Sequence, residues 1–81
     1  MANVKERIFE IIANQIGRPV EEIGIEAVLN EDLGFDQLDM IELQMALEEE
    51  FQLAIPDEIL EQKFIEVNDV VQYVEEKLAK K

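Results

Sequence analysis

The chain contains no cysteine, histidine, serine or threonine among its 81 residues. Without cysteine, neither disulfides nor thiolate chemistry is available. Histidine is the most common general base, and serine, threonine and cysteine supply the nucleophiles of most covalent catalysis. The composition therefore predicts that the chain is not an enzyme.

Basic residues are scarce and unevenly placed. Seven Lys and Arg stand against 20 Asp and Glu, which gives a formal net charge of −13, and no Lys or Arg lies between Pro19 and Gln62. The phosphates of nucleic acids and anionic lipids are repelled by such a surface, whereas basic patches on other proteins are attracted to it. We therefore expect basic protein partners, loosely bound divalent cations and no nucleic acid.

Motifs for dedicated ligand sites are also missing. The acidic stretch 31–39 lacks the alternating oxygen ligands and the central glycine of a calcium-binding loop. Gly17 and Gly34 are single glycines, which are typical of turns and not of a phosphate-binding loop. The sequence therefore predicts no resident metal.

Long hydrophobic runs are absent. No apolar run approaches the roughly 18 to 20 residues needed to cross a bilayer, and the first ten residues lack the apolar core of a secretory signal. We expect a cytoplasmic protein, or one of an organelle matrix. A chain of this length buries only about 60% of its unfolded surface, so we expect one domain spanning residues 1–81.

The apolar residues of the chain recur at the spacing of an α-helix. The first helix is predicted over residues 3–16, with Asn3 as its N-cap and with Gly17 and Pro19 ending it. Its apolar positions recur at helical spacing: Val4, Ile8, Ile11, Ile12 and Ile16. Residues 17–35 follow no sustained period and are predicted to form a long loop pinned to the core, with a short helical turn near 21–23 or 26–29.

Three more helices are predicted after this loop. Asp36 can cap the second helix by accepting a hydrogen bond from the N–H of Leu38 or Asp39. A short helix restarts after Pro56, and a last helix carries apolar residues at helical spacing: Val67, Val70, Val71, Val74 and Leu78. The fold class predicted is all-α, a small bundle of three longer helices and one short helix with a long first loop.

The second helix has two apolar faces. One is an ordinary core stripe of Met40, Leu43, Leu47 and Phe51. The opposite side carries Leu38, Ile41 and Met45, with Glu42, Glu48 and Glu49 among them or at their edges. The pattern alone favours contact of these apolar residues with the long loop, with the carboxylates merely solvated. The alternative is a recognition face for a partner protein that carries basic residues around apolar recesses.

The stretch "DLGFDQLDMIELQMALEEEFQLAIPDE" closely resembles the acyl carrier protein family, whose signature is a turn, Asp-Ser-Leu, an acidic helix and an Ile-Pro-Asp-Glu restart. The similarity covers nearly the whole chain. It includes "MANVKERIFEIIANQIG" as the first helix and "VNDVVQYVEEKL" as the last. In that fold the long first loop is expected, and small carriers of this kind are expected to be monomers.

The resemblance implies specific roles. The family serine that carries a 4′-phosphopantetheine arm falls on Gln37, between Asp36 and Leu38. Docking on synthases and acyltransferases falls on residues of the second helix: Asp39, Ile41, Glu42, Met45, Glu48 and Glu49. An acyl cavity would be lined by Leu47, Phe51, Ile55, Ile59 and Val70.

Gln37 is the central departure from the family pattern. A carboxamide has no nucleophile comparable to a hydroxyl, and the chain has no neighbouring Ser or Thr. The resemblance therefore implies a carrier scaffold of fatty acid or related acyl biosynthesis that cannot be loaded, with 4′-phosphopantetheine expected only in a Ser-containing form. Two accounts stay open: a substitution that keeps a normal carrier unmodified, or a non-carrier acidic interaction or regulatory paralogue of the same fold.

Overall fold

Four α-helices form the protein in a computed structural model, which describes residues 3–80. They are α1 (Val4–Ile16), α2 (Gln37–Phe51), α3 (Asp57–Gln62) and α4 (Val67–Ala79). The all-α prediction of three longer helices and one short helix is confirmed. Met1, Ala2 and Lys81, which the sequence prediction included, lie outside the described residues.

The ends of α1 follow from two residues with strong local preferences. The Asn3 side chain accepts a hydrogen bond from the Glu6 N–H at 2.8 Å, which satisfies one of the free donors of the first turn. Gly17 ends the helix in the left-handed region, at φ 69°, and its N–H donates to the Ala13 carbonyl. Both predicted boundaries are confirmed.

The long loop is fixed to the entry of α4. It holds one 3₁₀ turn (Val20–Glu22), the first of the two predicted places. The Leu29 N–H donates to the Ile65 carbonyl at 2.9 Å, and the Val67 N–H donates back to the Ala27 carbonyl at 3.0 Å. The loop buries Ile23, Leu29 and Phe35 in the common core. These contacts explain how so long a connection stays ordered.

The core draws on the helices and the loop together. Its buried apolar members are Ile8, Ile12, Ala13, Ile23, Leu29, Phe35, Leu43, Leu47, Ile55, Phe64, Val67, Val70, Val71 and Val74. Of the predicted core stripe of α2, Leu43 and Leu47 are fully buried, whereas Met40 and Phe51 are only partly buried. Phe51 is the last residue of α2, so it packs at the edge of the bundle and not at its centre.

Arg7 joins α1 to the C-terminal end of α2. Its guanidinium contacts both carboxylate oxygens of Glu50 at 3.0 Å and also pairs with Glu10 at 2.9 Å. The hydrogen bond from Arg7 holds the pKa of Glu50 below its usual range, and the same bond raises the pKa of Arg7. Within residues 3–80, this is the one ion pair that neutralises a carboxylate of α2.

Gln52 follows α2 in a left-handed conformation, at φ 56°, which is uncommon for a residue with a side chain. We expect Gln52→Gly to raise the free energy of unfolding by about 0.5–1 kcal/mol, because glycine adopts this conformation without a steric penalty. Urea unfolding would measure the change. Gln52→Ala is the control, since it keeps the Cβ and loses the bond from Gln52 Nε2 to the Glu49 carbonyl. Equal stabilisation by alanine would contradict the explanation.

Candidate functional site

The start of α2 is held by reciprocal hydrogen bonds. The Asp39 N–H donates to Asp36 Oδ1 at 2.9 Å, and the Asp36 N–H donates to Asp39 Oδ2 at 3.0 Å. From α1, Gln15 Nε2 donates to the Asp39 carbonyl at 2.7 Å. The predicted cap by Asp36 is confirmed, and the first turn of α2 is therefore fixed both locally and from across the bundle.

Gln37 is the first residue of α2, directly after this cap. Its side chain is exposed and borders a cleft between α2 and α3. Its neighbours Asp36 and Leu38 are exposed as well. The structure therefore presents the Asp-Gln-Leu stretch at the surface, at one end of α2 and beside a cavity.

The second apolar face of α2 is open to solvent. Leu38 is 65% exposed, Ile41 39% and Met45 61%. These values contradict the interpretation that the three residues pack against the long loop. We call Leu38, Ile41 and Met45 the outer face of α2. Exposed large apolar side chains grouped on one helix face are typical of an interaction surface.

The carboxylates near the outer face divide into two kinds. Glu42 and Glu49 are exposed, and their carboxylates make no hydrogen bond or ion pair with the described part of the chain. Glu48 instead accepts a bond from the Ile55 N–H at 2.8 Å, and Asp39 is held in the helix cap. Of the four acids predicted for docking, Glu42 and Glu49 are therefore the two whose carboxylates make no bond within residues 3–80, and the docking role of all four stays a prediction.

The cleft between α2 and α3 has a volume of about 550 Å³. It is lined by Gln37, Met40, Ile41, Gln44, Asp57, Leu60 and Glu61. None of the five residues predicted to line an acyl cavity borders it. Leu47, Ile55 and Val70 are buried in the core, and Phe51 and Ile59 pack against that core. The acyl-cavity assignment stays a prediction.

Sequence reasoning missed Gln44 entirely. Gln44 is 8% exposed, and its Nε2 donates to the Ile55 carbonyl at 2.6 Å and to Asp57 Oδ1 at 2.9 Å. Buried carboxamides need such partners because an unpaired amide is costly in an apolar setting. The spacing of seven residues from Gln37 places both side chains on the same side of α2, and this signal could have found it.

A sequence model of the phosphopantetheine attachment site family matches residues 6–74. The match runs from the first turns of α1 into α4 and includes the capped start of α2. The chain belongs to this family. Functional members of the phosphopantetheine attachment site family bind 4′-phosphopantetheine and serve as carriers, and carrier domains are not themselves catalytic. Membership of a carrier family suggests interaction with synthase or acyltransferase enzymes.

The residues of this family member do not fit covalent attachment of the arm. The chain has no Ser or Thr, and its one side-chain hydroxyl belongs to Tyr73. Tyr73 lies on α4. Its ring packs edge-on against the ring of Phe64, with 5.5 Å between the ring centroids, and Lys77 Nζ lies over the Tyr73 ring. Burial raises the pKa of the Tyr73 phenol, so the nucleophilic phenolate is disfavoured there. Gln37 offers only a carboxamide at the surface.

The predictions on metal binding and location concern the remaining acidic side chains and the helix lengths. No group of three or more acidic side chains within residues 3–80 is arranged to hold a metal ion. Over the same residues, no helix is both long enough and apolar enough to span a membrane. Loose divalent-cation binding and the cytoplasmic location stay predictions.

Proposed function

We propose that the protein is an acyl carrier scaffold of fatty acid or related acyl biosynthesis that docks on partner enzymes through the outer face of α2 and cannot be loaded. The observation that carries the proposal is the exposure of Leu38, Ile41 and Met45 beside two carboxylates, Glu42 and Glu49, that have no partner in residues 3–80. Membership of a carrier family supports the same reading.

The arrangement suits a basic partner for physical reasons. Leu38, Glu42, Met45 and Glu49 follow one another at intervals of four, three and four residues, so they share one side of α2. Uncompensated carboxylates accelerate the encounter with a basic patch, and burial of the apolar side chains slows dissociation. The partners proposed are synthases and acyltransferases that expose basic residues around an apolar recess.

We assign Gln37 to the attachment position of the family. Three features support this assignment: the capping Asp36, the exposed Leu38 and the location at the first turn of α2. A carboxamide in this place leaves docking intact and removes the nucleophile. No step of acyl transfer is therefore assigned to this chain.

A second candidate is a non-carrier interaction or regulatory protein of the same fold. The lack of any aliphatic hydroxyl in the chain favours it, since a carrier needs one such group. It would use the outer face of α2 to hold a basic partner outside acyl metabolism. Binding to such a partner in preference to acyl-carrier-dependent enzymes would favour this candidate.

The docking proposal predicts that Glu42→Lys weakens binding to an acyl-carrier-dependent synthase. Replacing an attraction by a repulsion at the rim of an interface should cost about tenfold in affinity at low ionic strength, and the difference should shrink as salt is added. Surface plasmon resonance at two salt concentrations would measure both effects. Glu42 is preferred to Glu48 because the Glu48 carboxylate holds the Ile55 N–H inside the fold.

Glu75→Lys on α4 is the matched control, since it makes the same charge change at an exposed residue away from α2. It should leave the affinity nearly unchanged. Equal weakening by both variants would show that only net charge matters, and the outer face of α2 would lose its role.

A further inference from the structure

The cleft between α2 and α3 is chemically divided. Met40, Ile41 and Leu60 supply an apolar wall, and the remaining lining residues are polar or acidic. Ligand sites of this size commonly combine apolar walls with a few oriented polar groups. Of the outer face of α2, only Ile41 also borders the cleft, so the two surfaces can be tested separately.

Gln44 contributes to the cleft a carboxamide that two hydrogen bonds hold in a fixed orientation. Its Nε2 uses both hydrogens, on the Ile55 carbonyl and on Asp57 Oδ1, which leaves Gln44 Oε1 as an acceptor. Oε1 has no hydrogen-bond partner in residues 3–80. Every fully buried side-chain N or O atom in that range does have a partner, so Oε1 is not fully buried. Oε1 therefore keeps some accessible surface, and the cleft is the cavity that Gln44 lines.

The charged members of the cleft are both acids. Asp57 lies beside the Gln44 amide, at 2.9 Å, and its second oxygen makes no hydrogen bond with the described chain. Glu61 is exposed and makes no ion pair there. Asp57 and Glu61 are in no ion pair within residues 3–80, although Lys63 directly follows α3. An acceptor and two carboxylates select a donor with positive charge and disfavour an anion.

We propose that this cleft is a non-covalent binding site for primary alkylammonium ions. The methylene chain contacts the wall formed by Met40, Ile41 and Leu60, while the ammonium, which has three donors and no acceptor, meets Gln44 Oε1 and the carboxylates of Asp57 and Glu61. The same group occurs in a free amphiphilic amine and in the lysine side chain of a protein. The site does not depend on whether α2 docks on synthases.

The first test compares chain-matched probes. Octylammonium, octanol and octanoate would each be titrated into the full chain and followed by ¹H–¹⁵N NMR. We expect octylammonium to bind more tightly than octanol, octanoate to bind least, and the shifts to fall in residues 40–44 and 57–61. Equal or tighter binding of octanoate, or shifts spread over all acidic segments, would overturn the proposal.

A second titration distinguishes a free amine from a lysine side chain as the source of the ammonium group. Nα-acetyl-lysine methylamide carries the same head group on a shorter stem. If it binds at the same residues as octylammonium, a lysine of a partner protein fits the site, and if only octylammonium binds, the ligand is a free amine. Both results support the cleft as an alkylammonium site, and failure of octylammonium itself overturns it.

Variants that remove one carboxylate charge each test whether Asp57 and Glu61 bind the ammonium group. Asp57→Asn keeps an acceptor for Gln44, and Glu61→Gln keeps the length of the side chain, so neither should disturb the fold. Each should weaken octylammonium roughly fivefold and leave octanol unchanged. Glu58→Gln, also on α3 but outside the cleft, is the control and should change neither probe. A loss as large in Glu58→Gln would reduce the effect to net charge and overturn the assignment.

Discussion

Leu47→Ala is expected to lower the free energy of unfolding by about 2–5 kcal/mol. Leu47 is fully buried in the second half of α2, in a core to which α1, α4 and the long loop also contribute. Alanine removes its apolar contacts and leaves a cavity that a close-packed interior cannot fill completely. An 81-residue domain has a total stability of roughly 4–12 kcal/mol, so this one change should be visible at once in urea unfolding.

Leu38→Ala is the matched control for this prediction. It makes the same chemical change on the same helix, at a residue that is 65% exposed. Its effect on the free energy of unfolding should stay within about 0.5 kcal/mol, as for most surface substitutions. If the two variants lost similar stability, the assignment of one buried and one open side of α2 would be wrong.

The features that sequence predicted correctly depend on near neighbours. Asn3 and Gly17 bound α1, and Asp36 begins α2, because each acts on the backbone within about one turn. The all-α class and the order of the helices follow from such local signals and from apolar periodicity. The core stripe of α2 was likewise visible, although Phe51 at its end is only partly buried.

The features that sequence missed join residues far apart in the chain. The Glu48 carboxylate, which the family resemblance assigns to partner docking, also accepts a bond from the Ile55 N–H after α2 has ended. Gln44 reaches across to the Ile55 carbonyl and to Asp57 on α3, which makes it part of a cleft floor. Such bonds depend on how the α2–α3 connection folds back. Periodicity along one helix contains no information about that path.

The outer face of α2 depends both on the local spacing of its residues and on the path of the distant long loop. Spacing alone could place Leu38, Ile41 and Met45 on one face but could not decide whether the long loop covers it. The loop instead packs on the core through Ile23 and Phe35 and bonds to the entry of α4. It therefore leaves the outer face of α2 uncovered, as a docking surface requires.

Gln37→Ser should turn a chain that cannot be loaded into one that can. The serine hydroxyl would stand at the first residue of α2, exposed, directly after the reciprocal Asp36–Asp39 cap. A hydroxyl is the nucleophile needed to attack the pyrophosphate of coenzyme A. After incubation with coenzyme A and a phosphopantetheinyl transferase, intact mass spectrometry should show the added arm on Gln37→Ser and none on the unaltered chain.

Gln72→Ser is the control, since it places a hydroxyl at an exposed glutamine of α4 without the Asp-X-Leu context. It should remain unmodified, because the transferase must recognise the start of α2 as well as the hydroxyl. Modification of Gln37→Ser alone would mean that the surface read by the transferase is intact and that one side chain separates this protein from a working carrier. If Gln37→Ser also stayed unmodified, the surface itself would have diverged, and the non-carrier interaction protein would become the better account.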